Sequence, residues 1–364
     1  MIRYIDDYRN KKVVRKLLDE IRKISLHEVS LMEVCGGHTM SIQKFGIPSL
    51  LPHNIKLLSG PGCPVCVSSR SFIDHAIAIS RKPEIIVTTF GDLIRVPGSS
   101  SSLSREKASG NDIRIVYSIL DAIELAKKNP EKHIVFLGIG FETTAPGTAI
   151  GVLNAAKLKL DNFSVLSSHK IMPPAMSALI NEGVKIDGYI APGHVSVITG
   201  TDIYEDLINT YKVACVISGF EPVDILKAIY MLIRQIETKD QKVEIAYTRA
   251  VAKSGNIKAR EAMKEVFRLN DDWWRGLGIL PESGLELNDK YAQFNSRQRI
   301  EVEVEPTKED KGCICGEILK GIKTPSDCKL FSKVCRPDNP VGACMVSNEG
   351  ACHAYYRYNR NVNI

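Results

Sequence analysis

The chain has 364 residues, 44% of them hydrophobic and 25% charged, with 48 Lys and Arg against 42 Asp and Glu for a formal net charge of +6. That balance belongs to a folded protein of two or three domains and excludes a disordered chain; so modest a positive excess gives no reason to expect nucleic acid as a partner. No stretch approaches 18 uninterrupted apolar residues, so no membrane span is expected.

The N-terminal segment is amphipathic rather than a leader. Val13, Val14, Leu17, Leu18 and Ile21 fall on one face of a helix predicted over residues 10–24. A cytoplasmic location is therefore expected. In a reducing compartment the ten cysteines point to metal ligation or thiol redox chemistry rather than to structural disulfides.

From residue 29 onward one pattern recurs: a short apolar strand, a glycine-containing loop, then a helix. Strands are predicted at 29–34, 55–59, 85–90, 133–138, 163–168, 186–191 and 213–218. This alternation predicts an α/β fold with parallel sheets flanked by helices. Seven such units exceed one small doubly wound domain. The expected division is into two related α/β domains, residues 1–120 and 121–240, with a helix over 111–128 as their joint. Residues 241–364 read as a third region. It holds a helix at 256–268, an irregular Gly- and aromatic-rich stretch at 273–287, an alternating strand at 300–305, and a cysteine-rich end.

Ligands of open α/β sheets bind beyond the carboxyl ends of the strands, and the unusual residues of this chain lie there. "CGGH" sets Cys35 and His38 beside two glycines. "GPGCPVC" sets Cys63 and Cys66 in a C-x-x-C spacing before a helical pattern, where orphan backbone N–H groups favour a thiolate on the first cysteine and the second closes the ring. Half a zinc site, or two core thiols, are the alternatives. Cys35 and His38 suit a soft or borderline metal shared with the C-x-x-C thiols. "GFETTAPG" offers Glu142, Thr143 and Thr144, which also read as a helix start with an acid near the positive end of its dipole; "APGHVS" offers His194 in a similar turn. Neither a P-loop nor a G-x-G-x-x-G fingerprint is present. Cys215, in an apolar strand, reads as a buried inert thiol.

Six cysteines, Cys313, Cys315, Cys328, Cys335, Cys344 and Cys352, crowd the last part of the chain, a strong metal signal. Zinc and an iron–sulfur cluster both remain open. One set of four is Cys313, Cys328, Cys335 and Cys352, with gaps of 14, 6 and 16 residues. It leaves Cys315 and Cys344 as a spare pair able to form a disulfide if the fold brings them together.

With these motifs in hand the chain resembles the HypD family of [NiFe]-hydrogenase maturation proteins. The likeness is carried by "MEVCGGHTM" at 32–40, "SGPGCPVCV" at 59–67, "GDLIRVPGS" at 91–99, "GIGFETTAP" at 138–146, "APGHVS" at 191–196, "GFEPVDIL" at 219–226 and the tail ending "PVGACMVSNEGAC". One departure is Ser68-Ser69 after the C-x-x-C, where a Thr-Pro-like pair is expected. The resemblance implies two related α/β domains and a third holding a [4Fe-4S] cluster on Cys313, Cys328, Cys335 and Cys352, with Cys315 and Cys344 as the remaining pair. It implies a scaffold on which the Fe(CN)2CO group is assembled, with iron bound through Cys35 and redox chemistry at Cys63 and Cys66. A small HypC-like chaperone would be the partner and a HypE-like protein the cyanide donor, so the chain is a maturation factor more than a turnover enzyme. His38, Glu142 and His194 complete the candidate catalytic residues. The competing readings are an iron–sulfur-dependent thiol–disulfide reductase and a zinc-stabilised binding module.

Overall fold

The computed structural model describes residues 6–359. Eleven strands are found among them: β1 Val29–Glu33, β2 Ile55–Ser59, β3 Ile85–Thr89, β4 Ile113–Ile115, β5 His133–Gly140, β6 Phe163–Lys170, β7 Gly188–Pro192, β8 Ala214–Ser218, β9 Val243–Ile245, β10 Phe267–Trp274 and β11 Gly278–Leu287. They form two sheets. The first, ordered β2-β1-β7-β8-β9, is parallel throughout. The second, ordered β10-β11-β6-β5-β3-β4, has four parallel strands and an antiparallel hairpin added at one edge. Strands such as β3 and β8 are buried along their whole length, as expected where helices cover both faces of a sheet. The amphipathic helix Lys11–Ile24, capped by the Asn10 side chain, packs on the long helix Pro222–Thr238 behind the first sheet.

The sheets do not divide the chain at residues 120 and 240. β1 pairs with β7, with Leu31 opposite Gly188 and Met32 opposite Tyr189, so the first sheet joins residues 29–59 to 188–245. The second sheet takes the intervening strands and then the hairpin from 267–287. The chain thus passes from the first sheet to the second, back to the first, and on to the second again.

Three local expectations are corrected. Residues 111–128 are not one helix: Ile113–Ile115 forms the edge strand β4, and the helix begins at Ile119 behind a Ser118–Asp121 capping box. The stretch at 273–287 is not irregular. Gly276 and Gly278, both at positive φ, make the turn of the β10–β11 hairpin, which is where the glycines were needed. Residues 300–305 alternate like a strand yet are not one. The segment finds no strand to pair with, and Ile300 and Val302 pack onto the core one at a time.

Candidate functional site

In the first sheet, the connections from β1 and β7 leave in opposite directions along the strand order, β1 to β2 one way and β7 to β8 and β9 the other. Such a reversal opens a crevice at the carboxyl ends. Four loops converge there. Cys35 follows β1, Gly62 and Cys63 follow β2, His194 follows β7, and Gly219 and Phe220 follow β8.

Cys35 stands in extended backbone as the cap of helix Gly36–Lys44, and its carbonyl accepts from the backbone N–H groups of His38 and Thr39. Its own N–H donates to Oε2 of buried Glu33 at 3.0 Å, while Thr39 donates its hydroxyl to the other Glu33 oxygen. The C-x-x-C loop lies directly against it. Gly36 N–H donates to Gly62 O, and a Cβ at Gly62 would fall 2.1 Å from the Cys35 nitrogen. Burial, then the nearby Glu349 carboxylate, push the Cys35 thiol up to about 12. The thiol therefore keeps its proton until a cation displaces it, which is how a thiol becomes a metal ligand.

His38 is fully buried; its ring stacks on Phe220, and His194 stacks on the same phenylalanine, with centroids 4.6 and 4.1 Å apart. His38 Nε2 donates to the Gly219 carbonyl at 2.9 Å, which leaves Nδ1 as a buried lone pair with no partner. Burial holds the imidazole neutral, lowering it to about 4, and lowers His194 as well. A neutral imidazole with a free lone pair can accept a hydrogen bond or take a borderline metal.

Cys63 and Cys66 are joined in a disulfide, with Cα atoms 5.2 Å apart. Cys63 caps the turn Pro64–Val67, its sulfur accepting from Cys66 N–H at 3.2 Å. Arg275, just beyond β10, closes the other end of that turn. Its Nε donates to Cys66 O and its Nη2 to Ser68 O. Cys215 is a fully buried free thiol on β8, as expected.

The C-terminal cysteines gather elsewhere. Cys313, Cys315, Cys328, Cys335 and Cys352 line one narrow cavity with Ile318, Leu330, Phe331 and Met345. Among the described residues no group of three or more His, Cys, Asp or Glu is set to hold a single metal ion. An iron–sulfur cubane does not need one, because each thiolate takes a different iron and the sulfurs stand apart. Two observations fit such a cluster. A Cβ at Gly342 would crowd the sulfurs of Cys315 and Cys313 at 2.5 and 2.6 Å, and Val341 N–H donates to the Cys335 sulfur at 3.4 Å. A hydrogen bond with the Cys315 sulfur raises the Cys313 and Cys352 thiols ahead of burial, while burial raises Cys335. Cys315 and Cys344 are not joined in a disulfide. Both are free; Cys315 lies 3.2 Å from Cys313, and Cys344 is fully buried outside the cavity lining.

The two thiol groups are close neighbours. The Cys352-bearing helix Ala351–Tyr358 packs on the Cys35-bearing helix Gly36–Lys44, and the C-x-x-C turn packs on Ala343–Met345. Glu142 is set apart. Its Oε1 accepts from Met172 N–H, its Oε2 is buried without a hydrogen-bond partner, the residue lines a different cavity, and burial raises the group to about 7. Sequence reasoning missed Glu33, Glu349, Phe220 and Arg275. Of these, only Phe220 carried a visible signal, since "GFEP" follows a predicted strand like the other loops.

No described helix is long and apolar enough to cross a membrane. Residues 12–359 match the family profile HypD, described as "Hydrogenase formation hypA family". The chain is 45% identical to "Hydrogenase maturation factor HypD2" of Bradyrhizobium diazoefficiens over 99% of this chain and 97% of that one. It is 43% identical to hydrogenase maturation factor HypD of Cupriavidus necator, over 100% and 99%, and 41% identical to that of Escherichia coli, over 98% of each. With a profile match and relatives spanning nearly the whole chain, the protein belongs to the HypD family of hydrogenase maturation factors.

Proposed function

We propose that the chain is the scaffold on which the Fe(CN)2CO group of a [NiFe]-hydrogenase is assembled, together with a small HypC-like chaperone and with cyanide received from a HypE-like donor. The iron is the cargo, and Cys35 is its ligand on this chain. The observation that carries the reading is the position of Cys35: a lone free thiol at the sheet's crevice, pressed against the C-x-x-C loop and three residues from a buried imidazole with an open lone pair. Iron on a soft thiolate is suited to bind cyanide and CO.

Cyanide leaving a thiocyanate requires two electrons, giving a thiolate and cyanide. The Cys63–Cys66 pair supplies two on passing from dithiolate to disulfide, so the balance closes within this site. Arg275 holds the turn that carries the pair, and Glu33 fixes the Cys35 backbone through its N–H. Cys313, Cys328, Cys335 and Cys352 would hold a [4Fe-4S] cluster. When bound, such a cluster supplies single electrons at low potential.

A second reading, an iron–sulfur-dependent thiol–disulfide reductase, draws support from the packing of the C-x-x-C turn on Ala343–Met345 beside the thiol cavity. It needs no iron at Cys35. The zinc-stabilised module would carry zinc alone. Anaerobic co-purification with the HypC-like chaperone, followed by metal analysis and infrared spectroscopy, separates the three. Iron beyond the cluster with cyanide and CO bands is the expected result. A complex-free protein, or iron in the cluster alone, overturns the proposal.

A further inference from the structure

Away from Cys35, a cavity of about 310 Å³ opens where helix Ile257–Val266 and the β10–β11 hairpin face the carboxyl ends of β5 and β6. Its walls are apolar, with Ile171, Met263, Phe267 and Leu285 prominent. At its base is Glu142, 3% exposed, with Oε2 buried and without a hydrogen-bond partner. Native proteins rarely leave a buried polar atom unpaired, because doing so forfeits its hydration with nothing in return. The cations Arg260, Lys264 and Arg268 also line the cavity. Arg268 is engaged by Glu286 and Asp289 and Arg260 by Asp202, whereas no ion pair of Lys264 is found among the described residues.

We propose that this cavity binds a small molecule with an apolar body, a hydrogen-bond donor at one end for Glu142 and an anionic group at the other for Lys264. A size near 300 Å³, apolar walls and a few directed polar groups are the ordinary form of a small-molecule site. The charge arrangement sets the polarity of the ligand: an acceptor that is buried and lone at the base, and surplus positive charge at the mouth. Burial raises the Glu142 carboxyl to about 7, so a donor arriving at Oε2 would also stabilise its ionised form. None of the lining residues is one of the thiols or histidines of the Cys35 group or of the thiol cavity; Glu142 alone is shared with the candidate catalytic residues named above.

The test uses the full chain and 4-hydroxyphenylacetate, which has a donor hydroxyl, an apolar ring and a carboxylate, with phenylacetate as the probe lacking the donor. Ligand-observed NMR titration is expected to give saturable one-site binding, about tenfold weaker in Glu142→Leu and in Lys264→Glu. Phenylacetate is expected to bind wild type and Glu142→Leu alike. Absence of saturable binding to the wild type, or equal affinity for 4-hydroxyphenylacetate in wild type and both variants, overturns the proposal. If Glu142→Leu does not fold, the exposed Lys264→Glu variant and the comparison of the two probes decide it.

Discussion

Arg275 donates from Nε to the carbonyl oxygen of Cys66 and from Nη2 to that of Ser68, each at 3.0 Å. A residue of the β10–β11 turn thus closes a turn some two hundred positions earlier in the chain. Arg275 is 6% exposed, and its contact with half-exposed Glu309 adds little. Arg275→Met would leave two carbonyls without donors and is expected to cost roughly 3 kcal/mol of stability, read by denaturant unfolding. It would also remove a positive charge beside the C-x-x-C pair, so the dithiol form loses support and the reduction potential moves to a more negative value. Thiol labelling across a redox series measures this. An unchanged potential in a folded variant would show that Arg275 has only a structural role.

Gly62 is expected to be intolerant of any side chain. The added Cβ of Gly62→Ala would meet the Cys35 nitrogen at 2.1 Å, and backbone atoms cannot swing aside as a side chain can. A loss of at least about 3 kcal/mol is expected, at the upper end of overpacking effects. Thermal melting checks it, and a melting temperature within a degree or two of wild type would contradict the contact.

Much of this arrangement was legible in the sequence, and the reason is local. Strands β1, β2, β3 and β8 are short apolar runs ended by glycine or polar loops, so they could be read from periodicity without knowing their neighbours. Cys35, Cys63 and His194 followed as strand-end residues. The pairing of β1 with β7 was not legible, since nothing in residues 29–33 marks residues 188–192 as their partner. For the same reason the crossing of the chain between sheets escaped, as did the reach of Arg275 to Cys66. Residues 300–305 illustrate the converse: a correct alternating pattern yields no strand where no partner edge is available.

Glu142 should make stability depend on pH. Its folded value of about 7 lies above the ordinary 4.5. Its contribution is therefore intact below pH 4.5 and is lost as pH rises through 7. Glu142→Gln removes that loss, so the variant is expected to gain on wild type between pH 4.5 and 8, by up to about 3 kcal/mol. Urea unfolding at several pH values reads the difference, and a pH-independent gap would refute the buried carboxyl.

The thiol cavity makes a separate claim. Cys328→Ala or Cys335→Ala is expected to abolish the visible iron–sulfur absorption of anaerobically purified protein. Cys344→Ala, outside the cavity lining, is expected to keep it. An intact chromophore in either of the first two variants would reject the ligand set.

The most direct measurement is the infrared spectrum of Cys35→Ala purified anaerobically with the HypC-like chaperone. The thiol stands at the crevice of the first sheet and is not among the residues lining the neighbouring cavity of Cys313, Cys328, Cys335 and Cys352. Loss of the cyanide and CO bands, with iron–sulfur absorption unchanged, is what a single-thiolate cargo site at Cys35 requires. Cyanide and CO bands at full intensity in that variant would contradict it.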